Sequence, residues 1–328
     1  MSGRFHRRRA PLALAAGLLA ALGLAAPADA EWVEWIADGR FETKFDDNLS
    51  QTGFDADEPS DFVFLHSLSV GRVYQATDLT RLSGTVDVEG ALHARFDRLN
   101  SVAYGVTLAA HHKFGLGRTR PWARLHGSAA RLDVKENNRD GWLFEGGLEL
   151  GQRFSPRLDA SIAYAYEARE ADDGRLVAPG TGTDVWDQRR HRVTVRTNFL
   201  ITDLLLFTAG VEYLAGDFES ACPKAGPGGG GPGGPGPGPG PGPGPGPGGG
   251  GFIAIEDPQA AALDEVFGNA AGDCMYRVDG DVYAAFLSFD YPLTDRIAVD
   301  LGYRFQHGSG KVLHYQSHIG MLGVSFRY

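Results

Sequence analysis

Arg190, Arg192 and Arg196 stand at alternating positions of one stretch, so in an extended strand their guanidinium groups leave from a single face. A guanidinium binds carboxylates and phosphates through paired N–H donors. Such a basic track has two chemical uses. It guides an anionic solute, or it is neutralised by carboxylates on adjacent strands, for which Glu167 before it and Glu212 after it are placed. Glu89, Glu145, Glu149, Asp300 and Arg304 occupy the equivalent polar face of other stretches. His126-x-Ser128 sets a base and a nucleophile on one strand face, but no Asn is evident on the next strand to orient the imidazole, so catalysis is not expected. No spacing of ligand residues suggests a metal, and no motif suggests a cofactor. The acidic stretch with Asp46, Asp47, Asp55, Asp57 and Glu58 offers oxygen ligands to divalent cations; a solvated loop is the expectation.

The elements that carry these residues read as strands. Trp35, Ala37, Gly39, Phe41, Thr43 and Phe45 share one face, and Ile36, Asp38, Arg40, Glu42 and Lys44 the other. Leu82, Gly84, Val86, Val88, Gly90, Leu92, Ala94 and Phe96 form an apolar face against Arg81, Ser83, Thr85, Asp87, Glu89, His93 and Arg95. That run is about 16 residues, against ~5–6 for a strand in a soluble protein. The alternation repeats over 62–74, 102–114, 122–134, 142–154, 158–168, 191–201, 205–215, 283–291, 297–305 and 314–328. The stretch 122–134 is the least regular, and a bulge is expected near Ala130. About twelve strands result. Turns after even-numbered strands are short, and every long excursion follows an odd-numbered one.

The final strand carries Gly320, Leu322, Val324, Phe326 and Tyr328 on one face and ends on an aromatic residue. This resembles the C-terminal strand of bacterial outer-membrane β-barrel proteins, and the resemblance extends over the whole chain after residue 30. It implies an all-β fold: a transmembrane antiparallel up-and-down barrel with short periplasmic turns, long extracellular loops and aromatic residues near strand ends. It also implies that the last strand is the signal read by the barrel-assembly machinery, and that the barrel is surrounded by outer-membrane lipid and lipopolysaccharide. The charged residues named above then line a lumen. The implied role is a porin-like passive channel for small hydrophilic solutes. The arginine track would act as in oligogalacturonate-specific porins, which are also built on about twelve strands. A closed structural or surface-interaction barrel is the alternative, and a lipid-acting barrel enzyme ranks below both, since only the His-x-Ser pair is shared with the outer-membrane phospholipase.

Composition agrees with export. Arg4, Arg7, Arg8 and Arg9 precede an apolar stretch from Pro11 to Ala26, and Ala28-Asp29-Ala30 fits a secretory cleavage site, giving a signal peptide over 1–30 and a barrel over 31–328. After it, no segment is apolar enough for a membrane helix, a test that barrel strands escape. The net charge of −10 gives no basic face for nucleic acid. The longest excursion, 216–277, contains a Gly/Pro segment, 226–251, with a Pro-Gly repeat and no side chains for a core. Cys222 and Cys274 flank that segment, and in an oxidising compartment a disulfide between them is expected. Asp257-Pro258 should start a short helix carrying Leu263, Val266 and Phe267 and stopped by Gly268, as cap or plug. The intact mass of the exported protein should correspond to a chain starting at Glu31; retention of Met1 would refute the cleavage site.

Overall fold

Alternation of apolar and polar residues has one consequence in hydrocarbon: the apolar face turns outward, and every backbone N–H must bond to another strand. The chain meets both conditions. The computed structural model describes residues 31–51, 59–135, 139–172, 185–221, 260–263, 274–310 and 314–328. Its strands are β1 (Glu31–Asp46), β2 (Asp61–Thr77), β3 (Thr80–His93), β4 (Ser101–Lys113), β5 (Trp122–Val134), β6 (Gly141–Ser155), β7 (Leu158–Ala171), β8 (Gln188–Leu200), β9 (Leu206–Ala221), β10 (Ala260–Leu263), β11 (Cys274–Pro292), β12 (Ile297–Ser309) and β13 (His314–Arg327). Neighbours pair antiparallel around the wall, β9 pairs with β11, and β13 closes on β1 from Asp38↔Arg327 to Asp46↔Ile319. The result is a closed twelve-stranded barrel, with β10 appended at its rim. Thirteen residues in a tilted strand cover roughly 30 Å of membrane normal, enough to cross a bilayer core.

The outer surface follows the sequence pattern. Phe41, Leu301 and Leu322 are 70%, 59% and 59% exposed, a costly surface in water and the natural one in lipid. Aromatic rings pair across strands at two levels. Trp32–Tyr74 and Phe207–Phe289 lie toward the short-turn end, and Phe45–Phe62 and Tyr213–Tyr283 toward the long-loop end, with centroids 5.0–5.4 Å apart. Four of the short turns share a chemical device: a hydroxyl accepts a backbone N–H two residues on. Thr77 serves Leu79, Ser155 serves Arg157, Thr202 serves Leu204, and Thr294 serves Arg296, at 3.2–3.3 Å.

Three expectations need correction. The excursion expected over 216–277 is shorter, because β9 runs on to Ala221 and β11 begins at Cys274. Ala260–Leu263, expected in a helix, forms β10 and pairs with Cys274–Arg277. The reason is a free edge: β12 ends at Ser309 opposite Asp281, so the β11 residues before it lack a partner on that side. No register shift occurs along β5. Its irregular look comes from small outward residues, Gly127 and Ala129, and from the outward pair Arg131–Asp133 near the rim. Residues 1–30 and 226–251 lie outside the described residues.

The β9–β11 register ends on Ala221↔Met275, so Cys222 and Cys274 are the next residue of each chain segment. Cys222 itself lies outside the described residues, and the bridge is our expectation. Protein unfolded without reductant should present no thiol to a maleimide reagent; labelling of both cysteines would exclude the bridge.

Candidate functional site

Inward-facing residues of the wall create two adjoining cavities, of about 820 and 450 Å³, that share His126. The larger reaches from Ile36 and Asp38, near the short-turn end, to Gln51 and Gln188 beneath the long loops. Its wall carries Ser69, Ser83, Thr85, Thr107 and Ser128 between the charged groups. Thr85 and Thr107 both donate to Asp87 Oδ2, at 3.1 and 2.8 Å. Glu89 lies one inward position further along β3 and lines the same cavity. Among the described residues no group of His, Cys, Asp and Glu is arranged to hold a metal.

The three β8 arginines face the lumen, but they are neutralised there. Arg190 Nε donates to Glu167 at 2.9 Å. Arg192 Nη2 lies 3.0 Å from both Glu145 and Glu167. Arg196 Nη2 donates to Glu149 at 2.9 Å. His126 Nε2 lies 2.9 Å from Glu145 and extends this network onto β5. The expected partnership with Glu212 is different: its carboxylate is bound by Arg304, from β12, and receives Thr194 at 3.4 Å. The reason is reach. Thr194, not an arginine, stands opposite Glu212, while Arg304 crosses over β11 to meet it. His126 and Ser128 line the same cavity, with the imidazole engaged by Glu145 and Ser128 register-paired to Glu145.

Asp300 belongs to a pair the sequence did not suggest. It is buried, and Arg40 Nη2 donates to it at 2.7 Å while also binding Glu42 at 2.6 Å. The strand between them is β13, where Gly323 stands opposite Asp300 and Glu42. A Cβ on Gly323 would lie 2.5 Å from Asp300 Oδ1. Here glycine is needed for clearance, so that a side chain from one strand can pass over the next.

The long-loop end is covered. Gly216 has φ +134°, and a Cβ there would sit 2.3 Å from the Arg189 carbonyl oxygen. Its register partner is Gly280. Beyond that glycine pair, the end of the β9–β11 hairpin, Ser220–Ala221 with Met275–Tyr276, is buried on both faces. Phe218, Tyr276 and Val278 pack with Leu214, Val282 and Tyr315. Ala221 and Met275 pack with Phe96, Val185 and Trp186, against Leu49 and Leu99. These loop residues come from around the circumference, so their meeting places an apolar cover over the mouth. Hydrogen bonds complete it: Ala221 N to Ser50 O at 3.1 Å, and Ser220 Oγ to Gln51 O at 2.9 Å. Arg139 stacks 4.0 Å above the Trp186 ring. At the rim, Lys135 pairs with Asp97, and the ammonium holds this carboxyl below its ordinary range. Asp46 and Asp61, ends of the acidic stretch, are buried and bound by the protein's own groups: Ser317 Oγ at 2.7 Å for Asp46, and Arg95 N at 3.0 Å for Asp61.

The closed twelve-stranded wall, the outward apolar band and the polar lumen give the chain the fold of bacterial outer-membrane β-barrels. Among solved structures, an outer membrane channel from Pseudomonas putida F1 is similar with a TM-score of 0.52 and 9% identity, over 93% of this chain and 100% of that one. The NanC porin is similar with a TM-score of 0.43 and 11% identity, over 89% and 100%. At these identities the likeness is one of fold. No protein-family model matches the sequence. No curated protein matches it either.

The clearance at Gly323 is directly testable. Gly323→Ala should lower stability in urea by about 1–3 kcal/mol by displacing Asp300 from Arg40. Gly146→Ala, with nothing within 4 Å of the added carbon, should leave the urea midpoint near that of the parent protein. Equal effects of the two changes would refute the clearance argument.

Proposed function

We propose that the protein is a passive outer-membrane channel for small hydrophilic solutes. The observation that supports this most is the larger cavity, which continues along the barrel from Ile36 and Asp38 to Gln51 and Gln188 and is lined by hydroxyl and charged groups. Water and polar solutes fit such a wall, whereas a packed barrel interior would leave no space for them. The paired arginines argue against a basic track that acts on its own; selectivity in this reading comes from the mixed wall. No catalytic role is assigned to His126 or Ser128. In the same reading, lipid and lipopolysaccharide surround the apolar band, and the assembly machinery takes the β13 face with Leu322, Val324, Phe326 and Tyr328, all exposed to lipid.

One observation favours a second reading, a closed barrel that presents its loops to partners. The cover built on Phe96, Val185, Trp186, Ala221 and Met275 is apolar and tightly buried, with each of the five at most 7% exposed. The two readings differ in a planar bilayer. As a channel, the refolded protein should give reproducible conductance steps, and Trp186→Ala should raise the fraction of time open by loosening the cover. Silence from correctly folded parent and variant alike would reject the channel and leave the closed barrel.

A further inference from the structure

The periplasmic end of the lumen carries a charge arrangement that the ion-pair networks do not use. Arg81 on β3, His111 on β4 and Arg124 on β5 are successive register partners. All three share the inward parity of their strands: Thr85, Thr107 and Ser128 line the larger cavity, and so does Arg124 itself. Lys113 lies one inward position beyond His111, at the end of β4. The row thus sets three permanent cations and an imidazole side by side, in a protein whose net charge is −10.

These cations differ from those of β8. Arg81 Nε donates to a neutral acceptor, Gln75 Oε1, at 2.8 Å. Among the described residues, no carboxylate pairs with Arg81, Lys113 or Arg124. The carboxylate opposite Arg124 is Glu149, and it is buried and taken by Arg196 at 2.9 Å. Arg81 and Arg124 stand on either side of β4, and two guanidinium charges on one wall with no carboxylate between them repel one another. A bound anion removes that repulsion and gains two guanidinium forks, which match carboxylate geometry. Arg81 and Arg124 are two strands apart, roughly 10 Å between backbones, and Arg side chains converge readily over that distance.

We propose that Arg81, His111, Lys113 and Arg124 form a binding site for small multivalent carboxylates at the periplasmic mouth of the lumen. The ligand sits where the wall is exposed, below the hydroxyl belt of Ser83, Thr85 and Thr107. Asp87 and Glu89 lie further in on the same wall and repel an anion that moves past the row. The site therefore holds an anion at the mouth, and it does so whether or not the lumen conducts.

The test uses the refolded protein in detergent micelles, with folding verified by heat-modifiable migration, and citrate as the probe in titration calorimetry. The parent protein should bind citrate. Arg124→Gln should weaken binding by about tenfold, as expected for loss of one charged bidentate contact. The double change Arg81→Gln with Arg124→Gln should remove measurable binding, while Arg157→Gln, whose guanidinium pairs with Asp203 on the neighbouring turn, should leave it intact. Absence of citrate binding by the folded parent overturns the site. So does binding that survives the double change.

Discussion

A peptide group in hydrocarbon has no water to bond to, and this constraint governs the molecule. An edge strand in the membrane would leave a row of N–H and C=O groups unsatisfied at several kcal/mol each. Closure of β13 on β1 removes that edge. Once the wall is closed, the pleat fixes everything else: each strand offers one face to lipid and one to the lumen, and polar side chains have only the inside to occupy. The lumen chemistry is thus a by-product of the same alternation that makes the outside apolar.

Polar groups crowded inside a wall must be neutralised by one another or by what they bind. Most are neutralised internally. Arg192 bridges Glu145 and Glu167, Arg304 holds Glu212, and Arg40 holds Asp300. On the β3–β5 side at the short-turn end, hydroxyl groups line the wall beside Arg81, Lys113 and Arg124, with which no carboxylate pairs among the described residues. The long-loop end solves a different problem. There the wall outgrows the bilayer, and both faces of the β9–β11 hairpin become available to bury apolar surface. Met275 and Tyr276 are adjacent in sequence and are buried on opposite faces.

The barrel and its strand count were legible because alternation is local and repeats many times. Leu82–Phe96 or Leu322–Tyr328 needs no partner to be read. Which lumen residues face inward was legible for the same reason. Their partners were not. Glu167 was placed correctly with Arg190 because the two are opposite on adjacent strands. Glu212 was not, because its cation comes from two strands away, and sequence spacing carries no information on what crosses an intervening strand. The cover was invisible for a related reason. Phe96 reads as the end of an outward face and Trp186 as part of a polar loop, and only the three-dimensional meeting of distant loops turns them into a core. Ala260–Leu263 failed because an Asp-Pro start is a local helix signal, whereas the unpaired edge of β11 is a tertiary one.

The ion pairs that pass over a strand have a further consequence, for registry. A one-residue slip between strands inverts the faces and is forbidden by lipid. A two-residue slip keeps every apolar side chain outside, so the hydrophobic pattern tolerates it. That slip moves a guanidinium roughly 7 Å along its strand, beyond reach of its carboxylate. Arg40–Asp300, Arg192–Glu145, Arg196–Glu149 and Arg304–Glu212 each span three strands, so each penalises slippage at two seams at once. The shear of this barrel, and with it the lumen diameter, is therefore written in its internal charges rather than in the surface that meets the membrane.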